Sequence, residues 1–213
     1  MSEITRLILL RHGVTQWNLQ YRFQGQADIP LTDLGRQQAR RAHQLLQEYS
    51  VDVIYASDLS RALETAQIAL GDREIPITTL KELRETNFGQ WEGLTTDEIR
   101  EKFPELMELH DKDPYNTILP DGECRRFMYE RATRKVDELA TLHRGQTLVI
   151  AAHEGPLAAV VCYYLGLDFI PERRKYRMDN ASFHIMERIN DGPFRLVRMA
   201  EQNGLPIDTL GNK

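Results

Sequence analysis

The sequence is short of cysteine, of long apolar runs and of positive charge, and each shortage narrows what the protein can be. Cys124 and Cys162 are its two cysteines. They lack CxxC spacing and have no histidine at metal-ligand intervals, so both are expected to be free thiols. No apolar stretch approaches the ~20 residues of a membrane-spanning helix. The opening residues show neither the basic start nor the small-residue cleavage site of a secretory signal, so the expected location is the cytoplasm. Lys and Arg number 27 against 32 Asp and Glu, a formal charge of −5. That balance argues against nucleic acid or a membrane as partner and confines any anion site to a local cluster. Internal repeats and low-complexity segments are absent. So is HExxH: His153-Glu154 has no second histidine one turn later, and no metal and no cofactor are expected.

What is present describes an ordinary folded domain. Apolar residues make up 41% and charged residues 28% of 213 positions, enough to bury one core and too few for two comfortable domains. A single domain is expected over 1–213. Arg6–Leu10 is a continuous apolar run that suits a strand buried on both faces. Residues 32–49 repeat apolar side chains at helical spacing behind Thr32 or Asp33 as cap. Asp52–Ala56 reads as a strand, followed by a helix over Leu59–Leu70 capped by Ser57 or Asp58, and by a short strand over Ile75–Thr79. Thr147–Ala152 is another apolar strand, and His153-Glu154-Gly155-Pro156 opens a helix to about Leu165. Ser182–Ile189 and Phe194–Met199, joined by Asn190-Asp-Gly192, read as a hairpin, and the remainder from Gln202 reads as a loose tail. Between them, about 93–145 shows helical patterns broken by Pro104, Pro114 and Pro120, a helical cap. The implied fold is an α/β three-layer sandwich with a mostly parallel central sheet, helices on both faces and that cap inserted; ligands bind at the carboxyl ends of such strands.

Arg11, His12 and Gly13 stand at the end of the first strand, where Gly13 lets backbone approach a ligand. They open Arg11-His-Gly-Val-Thr-Gln-Trp-Asn18, followed by Arg22-Phe-Gln-Gly25, Leu31-Thr-Asp-Leu-Gly35, Tyr55-Ala-Ser-Asp-Leu-Ser-Arg61-Ala-Leu-Glu-Thr-Ala66, Leu83-Arg-Glu85-Thr-Asn-Phe-Gly-Gln-Trp-Glu-Gly93, more loosely Pro120-Asp-Gly-Glu123, and His153. In that order the motifs resemble the histidine phosphatase superfamily, which includes cofactor-dependent phosphoglycerate mutases and many small phosphatases.

The chemistry can be built from the residues. A phosphate monoester is a dianion, and Arg11, Arg61 and a protonatable His153 supply charge and donors to hold it. Asn18 and the amide of Gly13 can fill remaining positions. A neutral imidazole is available near pH 7 as an in-line nucleophile, which assigns that role to His12, with its other ring nitrogen expected to donate to a carbonyl. The resemblance implies that His12 becomes a transient phosphohistidine and that Glu85 is the general acid and then the base for water. It also implies phosphate or substrate contacts for Thr15, Gln24 and Gly25. Tyr115, Arg125, Arg126 and Tyr129 in the cap are candidates for reading the leaving group. His43, His110, His143 and His184 match no motif and are expected to be structural or at the surface; Trp17 and Trp91 are expected to pack. Glu154 departs from the family, which usually has glycine there. It is a candidate to select substrates by charge if it points inward, and otherwise a solvated acid at a helix start.

The expected partner is therefore a small phosphorylated metabolite, and the sequence sets no oligomeric state. A mutase must exclude water and grip a carboxylate, and the stretch from Glu85 to His153 is shorter than the corresponding one in the family's mutases. Phosphatase is the reading adopted. The alternative is a mutase, and behind it a non-catalytic phospho-ligand binder.

Overall fold

The computed structural model describes residues 3–200, so the tail expected from Gln202 lies outside the described residues. Six strands form one sheet in the order β3-β2-β4-β1-β5-β6: β1 Ile4–Arg11, β2 Val53–Ser57, β3 Ile77–Leu80, β4 Thr147–Ala152, β5 Phe183–Ile189 and β6 Arg195–Arg198. β3, β2, β4 and β1 run parallel, β5 runs against β1, and β6 runs against β5. Helices are α1 Gln16–Leu19, α2 Asp33–Leu46, α3 Ser60–Leu70, α4 Thr96–Lys102, α5 Pro104–Lys112, α6 Arg125–Leu142, α7 Glu154–Leu165 and α8 Phe169–Glu172.

The alternation of side chains along the strands builds the three layers. Leu7 and Leu9 of β1, with Leu148 and Ile150 of β4, pack against Val136 and Leu139 of α6 and Leu157 and Val160 of α7. Ile8 and Leu10, with Ile54 of β2, face the other way onto Ala42 and Leu46 of α2 and Ala66 and Ala69 of α3. A strand covered on both faces has no polar side to show, which is why β1 and β4 read as unbroken apolar runs. Helix α7 lies between sheet and α6 and is buried from Gly155 to Cys162, and its sequence is apolar on nearly every face to match.

The cap has its own small core. Phe88, Trp91, Ile99, Met107 and Leu119 are buried together, with Phe23, Leu94 and Phe103 against them. Pro104 opens α5 rather than interrupting a helix, as its missing N–H allows. Helix α6 starts beside this roof and ends in the main core.

Two local expectations are corrected. The cap of α3 is Leu59, with no side-chain bond; Ser57 and Asp58 are used elsewhere, as described below. Cys124 precedes α6 in extended backbone instead of lying in a helix, while Cys162 is in α7; both are free and buried.

Candidate active site

The strand register brings the two motif histidines together. Arg11 at the end of β1 is paired with Ala152 at the end of β4, and the His12 amide donates to the Ala152 carbonyl at 3.0 Å. His12 and His153 are thus the next residues beyond two adjacent parallel strands, and their ring centroids lie 5.2 Å apart. The neighbouring strand β2 delivers Ser57, whose Oγ is 2.9 Å from His153 Nε2.

His12 has its tautomer fixed locally. Nδ1 lies 2.7 Å from the Gly13 carbonyl oxygen, an arrangement in which Nδ1–H donates. Nε2 then keeps its lone pair and has no hydrogen-bond partner among the described residues. The backbone is pinned as well, because the His12 carbonyl accepts from the Asn180 side chain and the Ala181 amide, each at 3.0 Å. Burial, and then the guanidinium groups of Arg61 and Arg11, hold His12 well below the ordinary histidine range, against the upward pull of the Gly13 bond. It is a neutral imidazole at neutral pH.

Around it stand donors with nothing to bind. Arg61 is fully buried in α3; its Nη1 and Nη2 donate to the carbonyls of Ala27 at 2.8 Å and Gly25 at 2.7 Å, which fixes the fork while Nε is left without a partner. Burial lowers its pKa to about 10, so it stays charged. Arg11 donates to the Met178 carbonyl and pairs with Glu154 at 3.1 Å, and its Nε is again buried and unpartnered. So is Nδ1 of His153. Most buried donors in folded proteins are satisfied, and orphans in one place mark a site shaped for an acceptor-rich ligand. His153 was expected to contribute as a cation. Burial foremost, with Arg61, His12, Arg131 and Arg11, instead drives it well below the ordinary range, so without a bound anion it is neutral.

Glu85 approaches from the loop after β3. Its Oε1 accepts from the Thr86 amide at 2.8 Å and its Oε2 from the Gly155 amide at 3.0 Å. The second contact requires glycine: a Cβ on Gly155 would lie 2.2 Å from Glu85 Oε1. The loop is held by Arg131, which donates to the carbonyls of Glu82, Arg84 and Glu85, each at 2.7 Å, and pairs with Glu123 at 2.8 Å. Glu123 belonged to the loosest of the sequence motifs. Its carboxylate also accepts from the Asn87 amide at 2.9 Å.

Several residues expected to touch phosphate turn out to be framework. The Gly13 amide donates to Thr65 Oγ1 at 2.9 Å and is not free for a ligand. The close approach that Gly13 permits is to backbone, since a Cβ would sit 2.5 Å from the Gly35 carbonyl. Thr15 is buried as the N-cap of α1, in a capping box with Asn18, and donates to Gln24 Oε1 at 2.8 Å. The box uses only Oδ1 of Asn18. Gly25 acts through its carbonyl on Arg61. Asp58, read as a possible cap, pairs with Arg84 at 2.6 Å.

Glu154 points inward. It pairs with Arg11 and with Arg177, each at 3.1 Å. Burial works to raise its pKa, but Arg11, Arg177, Arg173 and Arg125 outweigh that and hold it below the ordinary carboxylate range. Of the cap candidates, Arg125 alone comes near this group. Tyr115 and Tyr129 pack with Phe169 in a separate aromatic cluster, and Arg126 bonds Asn116 and Glu130 at the surface. Among the other histidines, His184 is buried between the Tyr176 carbonyl and the Ala200 amide, and His143 bonds Tyr55 and Gln146. Trp91 is buried in the cap core and Trp17 packs on Gly93. Among the described residues no group of His, Cys, Asp and Glu is arranged to hold a metal ion, and no helix is long and apolar enough to cross a membrane. Sequence reasoning missed Ser57, Thr65, Arg131, Arg173 and Asn180.

Comparison with known proteins agrees with this arrangement. The profile of the histidine phosphatase superfamily (branch 1) matches residues 7–202. Phosphoserine phosphatase 1 of Hydrogenobacter thermophilus is 32% identical over 190 residues, covering 88% of this chain and 90% of that protein. The crystal structure of the alpha-ribazole phosphatase from Shigella flexneri superposes with a TM-score of 0.85 at 29% identity, over 95% of this chain and 99% of the other. A mycobacterial glucosyl-3-phosphoglycerate phosphatase does so with a TM-score of 0.80 at 31% identity, over 93% and 100%.

Proposed function

The chain belongs to the histidine phosphatase superfamily, and from that premise we infer that it is a phosphoric monoester hydrolase for small phosphorylated metabolites, with His12 as its nucleophile. One observation carries the reading. Buried nitrogens of Arg11, Arg61 and His153 that have no partner surround a neutral histidine whose free nitrogen is the one a phosphorus atom needs.

In the proposed cycle the phosphate dianion bridges Arg11 and Arg61, whose planar forks suit equatorial oxygens. With the Ser57 hydroxyl donating to Nε2 of His153, Nδ1 carries the proton and donates to the same phosphate. A bound dianion favours the charged form of His153, offsetting the burial that keeps it neutral beforehand. His12 Nε2 attacks phosphorus in line, the P–N bond forms, and the P–O bond to the alcohol breaks. Glu85 gives its proton to the departing oxygen. Water then enters, Glu85 takes a proton from it, and the hydroxide displaces His12 to release inorganic phosphate. No step calls on a metal. The roof is formed by the single domain's own insertion around α4 and α5, and a mutase would need it to keep water out between the two transfers. Because α6 is committed to the main core, little chain is left for such a closure, which favours hydrolysis.

The test is phosphate release from a panel of phosphorylated metabolites in the presence of a chelator. Turnover that persists with the chelator and disappears in His12→Ala supports the reading. Rapid isomerisation of 3-phosphoglycerate in the presence of its bisphosphate, with negligible phosphate release, overturns it in favour of a mutase.

A further inference from the structure

Beyond the phosphate cluster lies positive charge that the protein leaves uncompensated. Glu154 is fully engaged, one oxygen with Arg11 and the other with Arg177. Arg125 and Arg173 stand next to this group, and among the described residues neither has an ion pair or a hydrogen bond. Arg125 is half-buried over the ring of Phe88, 5.5 Å from its centroid, and its Nε is buried without a partner. The two guanidinium groups are close enough to disfavour each other's charge, which together with burial lowers both, Arg125 to about 10.

The arrangement is unfavourable in a free protein. Arg125 is the first residue of α6, an 18-residue helix with no acidic residue in its first turn, so a cation sits at the positive end of the helix dipole. Two like charges half out of water repel where screening is weak. One anion between them would relieve each of these costs.

The place also fits the reaction. Glu85 is the proton donor proposed for the leaving oxygen, so the group attached to that oxygen extends past Glu85. Arg125 and Arg173 are both within electrostatic reach of Glu85 and Glu154, on the side away from Arg61.

We propose that Arg125 and Arg173 form a leaving-group subsite for a second anion, so that the preferred substrate is a phosphomonoester whose alcohol carries a carboxylate or a further phosphate. This rests on the hydrolase reading above. The guanidinium fork suits either anion, and the substrate panel separates them.

The experiment measures kcat/KM for 3-phosphoglycerate, fructose 1,6-bisphosphate, glycerol 3-phosphate and p-nitrophenyl phosphate with the full chain and with Arg125→Gln and Arg173→Gln separately. The wild type is expected to prefer an anionic-tailed substrate to glycerol 3-phosphate by at least about 10-fold. Each variant should lose about 10- to 100-fold more on that substrate than on glycerol 3-phosphate, as expected for a charge-assisted contact. Because the ratio is taken within one preparation, partial unfolding cancels. Preference for the phosphoglycerate identifies a carboxylate, preference for the bisphosphate a second phosphate. Absence of any anionic preference in the wild type, or equal losses on all substrates in both variants, overturns the subsite while leaving the hydrolase reading intact. Failure of the wild type to hydrolyse even p-nitrophenyl phosphate strikes the hydrolase reading itself.

Discussion

Glu85 and Gly155 are in direct contact, the carboxylate Oε2 accepting from the glycine amide at 3.0 Å across the mouth of the site. The contact joins the loop after β3 to the first turn of α7, and it ties the position of the proton donor to the helix that begins next to His153. A methyl group at 155 would stand 2.2 Å from Glu85 Oε1. Gly155→Ala should therefore move Glu85 while leaving His12 in place. The expected result is a kcat about 10- to 100-fold lower on an alkyl phosphate, within the range for a displaced general acid, and a much smaller loss on a nitrophenyl ester. Identical losses on both would show that the glycine matters for something other than Glu85.

Glu85→Gln removes the proton without removing the hydrogen-bond acceptor facing Gly155. Turnover of an alkyl phosphate should fall about 10²- to 10⁴-fold. A nitrophenyl leaving group needs no proton and should lose far less in the phosphorylation step. Rapid-mixing kinetics that report that step on both esters would decide the role, since equal losses are incompatible with a general acid.

Ser57 was invisible in this role. A serine just after a strand and before a helix reads as a cap, and its sequence gives no sign that β2 lies beside β4, which is what places it 2.9 Å from His153. The sequence did reveal the strands that end at Arg11 and Ala152, because both are apolar throughout, and with them the position of His12 and His153. It revealed the motif residues Arg61 and Glu85 by resemblance. It hid Arg173 and Arg177, since Arg173-Arg-Lys-Tyr-Arg177 looks like a solvated charge run until the fold sets it against Glu154. It also hid the double use of α6, whose helical pattern is continuous from roof to core. Gly13 and Thr15 were misjudged because a residue near a site is as often needed to hold it as to touch the ligand.

Ser57→Ala should leave His153 without the hydroxyl that selects its tautomer. A single buried neutral hydrogen bond contributes about 1 kcal/mol, so kcat/KM should fall about 5- to 10-fold, with the competitive inhibition constant for inorganic phosphate rising in step. An unchanged phosphate affinity would place Ser57 outside the anion site.

Glu154→Gln should release Arg11 from its 3.1 Å partner and remove negative charge from beside the phosphate. Affinity for vanadate and for bisphosphorylated ligands should rise more than affinity for a monoester with a neutral tail. The difference should shrink as salt rises, because the effect is through space. Parallel changes for both ligand types would deny Glu154 any part in selection by charge.

His12 and His153 are both held below the ordinary value of about 6.5, by burial and by adjacent cations. As pH falls, the unfolded chain binds these protons before the folded one does, so the folded state loses stability. Their contribution is complete above about 6.5 and declines below it toward the depressed folded values. Tm should drop between about pH 7 and pH 5, and His12→Ala should flatten the slope. A wild-type Tm that rises on acidification over this interval would contradict the assigned protonation states.

The central claim is that the free Nε2 of His12 takes the phosphoryl group. The direct measurement is rapid quenching with phosphate-labelled substrate, followed by mapping of the label on the protein. The expected result is acid-labile, base-stable label on His12 in the wild type, accumulating when Glu85→Gln slows hydrolysis, and no label in His12→Ala. Stable labelling of His12→Ala, or turnover by that variant at the wild-type rate, would contradict it.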